Sequence, residues 1–293
     1  MKRKRSFGDR AFDIINTIFM LLVIVIMAYP IWYVLVASLS DSNYLAAYRG
    51  VLLWPLKFTT AAYTMVFKNP NIVTGYCNTI LIVVVGTLLN VFFTLIAAYV
   101  MSRKPFPGKK IFMIMMVITM YFNGGIIPRY ILNNNWLGLG NNRLVLILPV
   151  LVVTYNMVIL RTGLEAIPDS LDESARIDGA NEFQILFKIM APVAKAPIAV
   201  VALYYAVTHW NSWFTAAVYI RDRAKYPLQL ILRDILINND VNSMMGGEEG
   251  SMLAISESIK YATIMVATVP ILCIYPFVQK YFVKGAMIGA VKG

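Results

Sequence analysis

Six stretches without a formal charge constrain this chain more than any other feature. Residues 14–40, 69–102, 111–128, 144–160, 196–220 and 261–279 contain no Asp, Glu, Lys or Arg. A helix needs about 20 apolar residues to cross the hydrocarbon core of a bilayer. In that solvent every backbone N–H and C=O must be satisfied internally, so such runs fold as helices. The third and fourth runs are short, but the third reaches span length if Arg129 snorkels to the interface, and Arg143 and Arg161 bracket the fourth. The reading is an all-α membrane protein with six transmembrane helices.

Composition agrees. Hydrophobic residues make up 59% of the 293 and charged residues only 14%, against roughly 45–50% and 25% in soluble domains. There are too few charges to coat a soluble surface, and the mean hydropathy of +0.67 points to lipid as solvent. The net charge of +11 comes without a basic stripe of interleaved aromatics, which excludes nucleic acid as a partner. It fits cations held at the cytoplasmic face against anionic lipid. The apolar run after MKRKRSFGDR continues to Ser40, too long for a cleaved signal peptide. Cys77 and Cys273 lie in apolar runs without a second ligand nearby and read as small buried hydrophobes.

Lys and Arg set the orientation. With both termini cytoplasmic, sixteen of the 26 fall inside and ten outside. The contrast is sharpest between SRKPFPGKK at 102–110 and the cation-free NNNW at 133–136. Residues 1–12 then form a basic cytoplasmic N-terminus, 13–283 the transmembrane domain, and 284–293 a cytoplasmic tail. Outer segments cover 41–68, the region 129–143, and 221–260. The last holds NSMMGGEEGS and a piece, Pro227 to Arg233, suited to a short helix at the membrane face.

Function concentrates in the cytoplasmic segment 161–197. It carries six of the chain's 15 acidic residues: Glu165, Asp169, Asp172, Glu173, Asp178 and Glu182. Pro168-Asp169-Ser170 predicts a helix start, with carboxylates in the first turn where the macrodipole favours them. Ala175, Ile177 and Ala180 predict an apolar face. Gly179-Ala180 either breaks the helix or admits another backbone. Phe183, Leu186, Phe187 and Met190 resume helical spacing, and Pro192 is expected to end the run. Helices that lie on lipid usually show a basic face. This one is acidic, which favours a protein partner.

Elsewhere the signals are thinner. His209, the single histidine, reads as a packed residue bonded to backbone. Trp210 and Asn211, and after them Tyr155 and Asn156, are pathway candidates, because rings stack on sugar faces while amides bond hydroxyls. Packing is the competing reading for all four. The spans hold no carboxylates for a proton relay, and the Met-rich MIMMVITMYF lacks the Cys or His of a soft-metal site.

Glu173-Ser174-Ala175, three residues, Gly179, nine residues, Ile189, two residues and Pro192 resemble the EAA signature of ABC-importer permeases. Ser174 and Ala191 depart from the family's Ala and Leu without changing the spacing. The tail KGAMIGAVKG resembles that of the smaller maltose-importer permease. FNGGIIPRY, SLDESARIDGA and the Trp210-Asn211 pair are similar to permeases of the complex-oligosaccharide branch. The resemblance implies a type I ABC importer permease fold in a bacterial cell membrane and a non-catalytic, sugar-importing subunit.

It further implies a second permease as heterodimer partner, two ATPase subunits, an extracytoplasmic solute-binding protein, and contact with membrane lipid. No cofactor is expected on this chain; ATP and Mg belong to the partner ATPase, in keeping with the lack of G-x-x-x-x-G-K-[ST] here. Coupling to that ATPase falls, by the resemblance, on Glu173, Ser174, Ala175, Asp178, Gly179, Ala180, Ile189 and Pro192, within an EAA segment at 163–192. An ABC permease for peptides, or a carrier or channel working alone, are the competing readings.

Overall fold

The computed structural model describes residues 7–103, 106–237, 258–273 and 276, whose regular structure is helical apart from one isolated bridge between Ser40 and Phe58. The chain forms two compact units, one built from the N-terminal residues to Asn69 with Asp234–Val269, the other chiefly from Pro70–Arg233. Residues 238–257, half of the segment 221–260 and including NSMMGGEEGS, lie outside the described residues. So does the tail 284–293.

In the first unit α1 spans Phe7–Ser38. At 1.5 Å per residue it is about 48 Å long, more than a hydrocarbon core requires. Its side chains from Phe12 to Met27 are exposed around the helix, as expected where lipid is the solvent. Packing begins only at its C-terminal end, where Val36 and Ala37 meet Leu45 of α2 (Ser42–Ala47) and Leu52. Ser40 pins the following loop: its Oγ donates to Val36 O and accepts from Leu56 N–H. Trp32 Nε1 donates to Leu53 O at 3.0 Å and packs edge-on against Trp54, an interfacial aromatic arrangement. The short α3 covers Ala61–Lys68.

The second unit is organised around α4, Pro70–Ser102. Its buried stripe runs Gly75, Asn78, Thr79, Ile82, Gly86, Asn90, Thr94, Ala98, while Leu81, Val84, Leu88 and Phe92 face outward. All its buried polar residues and two glycines share the inner stripe with Ile72, Ile82, Leu95, Tyr99 and Met101, while other large apolar residues face outward. Small side chains let neighbouring helices approach, and the polar ones find partners only within the bundle. Around α4 stand α5 (Lys109–Tyr121), α6 (Ile126–Ile131), α7 (Thr154–Glu165), α8 (Asp169–Ile177), α9 (Glu182–Gln184), α10 (Ala191–Val193), α11 (Lys195–Trp210) and α12 (Trp213–Tyr219). The helix α13 follows at Leu228–Ile237, in the place expected for a short helix after Pro227. Ser258–Cys273 forms α14.

Three expected spans are bent rather than straight. The third ends at Tyr121 and turns by 110° into Ile126–Trp136. The turn uses Gly125 at φ +83°, a left-handed conformation that glycine adopts without penalty. The fourth is a 3₁₀ segment, Arg143–Val150, joined to α7 at 50°. The fifth breaks at Asn211-Ser212, beyond which α12 continues to Tyr219. The helix that begins at Glu182 runs on through the π-helical stretch and ends at Val193, one residue past Pro192, where it was expected to stop; the chain then turns by 89° at Ala194. Cys77 and Cys273 are exposed, not buried; a small thiol is tolerated equally well on a lipid-facing surface.

Candidate functional site

The acidic segment 161–197 folds as a sharp corner whose two ends are encoded locally. Helix α8 closes with a Schellman turn: Gly179 N–H donates to Arg176 O at 3.1 Å and Ala180 N–H to Ala175 O at 2.9 Å. Gly179 supplies the left-handed residue this turn needs, at φ +79°. A Cβ there would meet no atom within 4 Å, so backbone conformation, not close approach, is the reason for glycine. Two residues on, Asn181 and Gln184 form a reciprocal capping box that starts α9. A π-helical stretch, Ile185–Met190, then carries the chain toward α10.

Burial follows this corner rather than a simple apolar face. Ala175 packs in the core with Ile185, Leu186 and Met190. Ile177, expected on the same face, is 86% exposed at the tip, and Phe183 is 66% exposed. The Schellman turn redirects the chain immediately after Ile177, so its side chain is left on the outside. Of the residues assigned to coupling, Glu173, Ser174, Asp178, Gly179 and Pro192 are exposed, Ala180 and Ile189 are half-buried against the core, and Ala175 is buried. Glu173, Ser174, Asp178 and Gly179 thus lie with the apolar tip at one outward corner, while Pro192 lies at the far end of the following helix.

Charges tie that corner to the end of α4. Asp172 is buried; its carboxylate lies 3.6 Å from Arg103 just beyond α4, and Arg176 Nε approaches it to 3.3 Å. Arg176 Nη1 also pairs with Glu182, and Tyr99 OH donates to Glu182 Oε2 at 2.7 Å. Arg103 stacks over the Tyr99 ring at 4.9 Å. The hydrogen bond from Arg176, then that from Tyr99, holds the Glu182 carboxyl below the usual glutamate range. The hydrogen bond to Glu182, then that to Asp172, raises the Arg176 guanidinium. A cavity of about 390 Å³ lies beside the network, lined by Tyr99, Arg103, Phe106, Arg176, Glu182 and Phe183 among others. Sequence reasoning missed the pairing. The signal was Arg103 standing immediately after a 34-residue charge-free run while unpaired acids waited in one other segment.

A second polar cluster holds the bend in the fourth span. Asn90 Nδ2 donates to Val150 O and, at 3.1 Å, to Leu151 O, the carbonyls freed where the 3₁₀ segment stops. Tyr205 OH accepts from Val153 N–H at 2.9 Å and bonds Thr94 Oγ1 at 2.7 Å. Asn90 Oδ1 lies 2.9 Å from His209 Nε2. Because the Asn90 amide nitrogen is committed to two carbonyls, its oxygen is the acceptor and His209 carries its proton on Nε2. His209 is therefore packed and bonded, but to a side chain instead of backbone. Gly86 makes room: a Cβ there would come within 2.5 Å of His209 Nε2.

The four pathway candidates separate. Tyr155 is exposed, its ring 6.3 Å from that of Tyr204, and Asn211 is exposed with Nδ2 donating back to Val207 O. Asn156 and Trp210 are buried; the Trp210 ring packs edge-on against Tyr76 and its Nε1 has no partner.

The end of this unit away from the acidic corner's segment, expected from the sequence to face outward, is cationic. Residues 121–160 and 198–233 together hold Arg129, Arg143, Arg221, Arg223, Lys225 and Arg233 against one carboxylate, Asp222. Asn141 organises the rim: its Oδ1 accepts from Arg221 N–H and Asp222 N–H, and its carbonyl from Lys225 Nζ. Asn78 Nδ2 bonds the carbonyls of Ala224 and Tyr226, and Thr79 Oγ1 accepts from Leu228 N–H at 2.8 Å, bolting the loop to α4. Arg233 lies over the Trp213 ring at 4.6 Å.

Long apolar helices, broken spans whose freed backbone is satisfied by side chains, and a capped corner tethered to a span define a multi-pass membrane transport permease. Residues 109–287 match the family described as binding-protein-dependent transport system inner membrane component, and the chain belongs to it. It is 38% identical to the polygalacturonan/rhamnogalacturonan transport system permease protein YtcP of Bacillus subtilis (strain 168), over 97% of this chain and 99% of that one. It is 25% identical to the arabinooligosaccharides transport system permease protein AraQ of the same organism, covering 94% and 95% of the two chains. Among solved structures it superimposes with a TM-score of 0.86 and 32% identity on a chain of a bacterial ABC transporter involved in the import of the acidic polysaccharide alginate, covering 96% of this chain and all of that one. The fold is that of a type I ABC importer permease, in the bacterial cell membrane.

Proposed function

We propose that this chain is one of two permease subunits of an ATP-driven importer for oligosaccharides that carry acidic sugars. Family membership supports the importer. The substrate class rests on one observation: the proposed outer rim presents six cations against two carboxylates, Asp222 and Asp234. Cations outside the membrane oppose the usual topological bias, so a function is needed to retain them there. A cationic rim concentrates an anionic solute at the entrance. The polygalacturonan and alginate systems to which this chain is similar handle such solutes.

In this reading six helices span the membrane with both termini cytoplasmic, and a second permease completes the pathway. The exposed corner, with Glu173, Ser174, Asp178 and Gly179 around Ile177 and Phe183, seats in a cleft of a cytoplasmic ATPase. Ala175, Ala180 and Ile189 shape that corner from within, and the exposed Pro192 closes the segment at its far end. Two ATPase subunits bind ATP and Mg; this chain binds no cofactor and catalyses nothing. Their closure pulls on α8, and the Asp172–Arg103 pair passes the movement to α4 as a rigid-body displacement. Tyr155 and Asn211 are the pathway residues that the bundle leaves accessible. The segment 221–260 receives the extracytoplasmic binding protein.

The test is uptake by proteoliposomes of the reconstituted complex with its binding protein. Uptake is expected to require ATP on the corner's side and to favour uronic-acid oligosaccharides over neutral ones of equal length. Uptake by this chain alone, without an ATPase, overturns the importer. Equal uptake of neutral and acidic chains overturns the substrate class only.

A further inference from the structure

A groove of about 620 Å³ opens between the start of α5 and the end of α7. It is lined by Phe106, Lys109, Lys110, Ile111, Ile114 and Arg161, among others. Its walls change character over a short distance. At one end stand three cations. Lys109 Nζ donates to Arg103 O at 2.6 Å, which anchors it without neutralising it. Lys110 is exposed and has no acidic partner among the described residues. Arg161 is paired with Glu165, its Nη2 2.7 Å from the carboxylate, while Nη1 has only the Met113 sulfur at 3.8 Å. Glu165 is thus the one acid at the groove, and two positive charges remain uncompensated. At the other end Ile111, Ile114, Met115 and Ile118 form an exposed apolar wall along α5.

We infer that this groove is a binding site for a single acidic phospholipid of the cytoplasmic leaflet. Its phosphate would sit at Lys109, Lys110 and Arg161 and an acyl chain would follow Ile111 and Ile114. Charge and depth choose this occupant. A soluble anion would leave the apolar wall uncovered, and a zwitterionic headgroup would place its own ammonium beside two unpaired lysines. The apolar wall belongs to a helix whose outward face is meant for lipid tails, so the headgroup end falls at the membrane surface. Helix α7 leads from Arg161 and Glu165 directly into α8, so the lipid would brace the segment that carries the coupling corner. The leaflet rests on the proposed orientation, but the lipid chemistry does not.

Native mass spectrometry of the intact transporter in mild detergent, titrated with phosphatidylglycerol or phosphatidylcholine of matched chains, tests this. The wild type is expected to retain phosphatidylglycerol selectively. Removing a surface cation weakens such contact about fivefold, so Lys110→Gln should lose about that and Lys109→Gln/Lys110→Gln about thirtyfold. Lys188→Gln, on the same cytoplasmic segment but outside the groove, should change nothing. Lys110 is exposed and contacts nothing it must hold, so Lys110→Gln carries the test if the double variant fails to assemble. Equal retention of both lipids, or undiminished phosphatidylglycerol in Lys110→Gln, overturns the site. Displacement of the lipid by millimolar glycerol phosphate would assign the groove to a free phosphate and overturns it as well.

Discussion

The coupling corner and the bend in the fourth span meet the same physical demand by opposite means. Both interrupt a helix and so free backbone groups. At the corner the groups are closed by neighbours in sequence, through Gly179 and the Asn181–Gln184 box. At the bend they are closed by Asn90 and Tyr205, which are more than fifty residues away from the groups they bond. Water explains the difference. The corner faces an aqueous side where local caps suffice and charges are tolerated. A carbonyl freed within a bundle in lipid costs several kcal/mol unless another helix delivers a donor, and neutral amides and hydroxyls do so without burying a charge. A solvent-facing, locally capped corner and an internally bonded break follow from those two solvents.

Breaking each region should expose that contrast. The largest effect is expected at the tether between them. Asp172→Ala leaves Arg103 buried without its partner, a change that costs about 3 kcal/mol or more. Reversing both, as Asp172→Arg with Arg103→Asp, should recover part of the loss, measured by thermal unfolding and by ATP-dependent uptake. If the two single variants simply add, no tether exists. Next comes Asn90→Leu, which strands two carbonyls and His209 and should cost about 2–3 kcal/mol. Gly86→Ala should resemble it, because its Cβ displaces His209 from Asn90. A Gly86→Ala protein as stable as wild type would break the link between these residues.

At the corner Gly179 should respond to conformation first. Valine, which cannot adopt φ +79° cheaply, should destabilise by about 1–2 kcal/mol, and asparagine by less. Gly179→Asp should keep the turn better than valine yet uncouple ATP hydrolysis from uptake, because its charge enters the outward corner. Parallel loss of stability and uptake across all three variants would reduce Gly179 to a purely structural role. The smallest effect is a pH dependence. The Glu182 carboxyl is held below its ordinary range, so its contribution is fully present at neutral pH and fades as pH falls through that lowered value. Glu182→Gln should flatten the acid limb of an unfolding-versus-pH profile slightly, and an unchanged limb would remove Glu182 from the network's energetics.

Much of this molecule could be read before it was folded. The charge-free runs located α1 and α4 to within a few residues at most of their ends, and Pro168-Asp169 marked the start of α8. EAA spacing pointed to the corner and to the family. The stop expected at Pro192 falls one residue later, at Val193, but the apolar face expected of Ala175, Ile177 and Ala180 is divided, with Ala175 buried and Ile177 exposed at the turn. The reading failed also in treating the third, fourth and fifth spans as unbroken. In each case a period of apolar residues was extended across a point where local geometry changes direction. Periodicity records which residues are apolar, not where the backbone bends.

Solvent, helix content and the local caps were settled along the chain itself, because charge spacing and cap chemistry act between residues a few positions apart. The partners of Asn90, the burial of His209 behind Gly86, and the pairing of Arg103 with Asp172 were decided only when distant helices packed. A buried polar group must find its complement wherever the bundle brings one, and no short-range pattern records which helix that is.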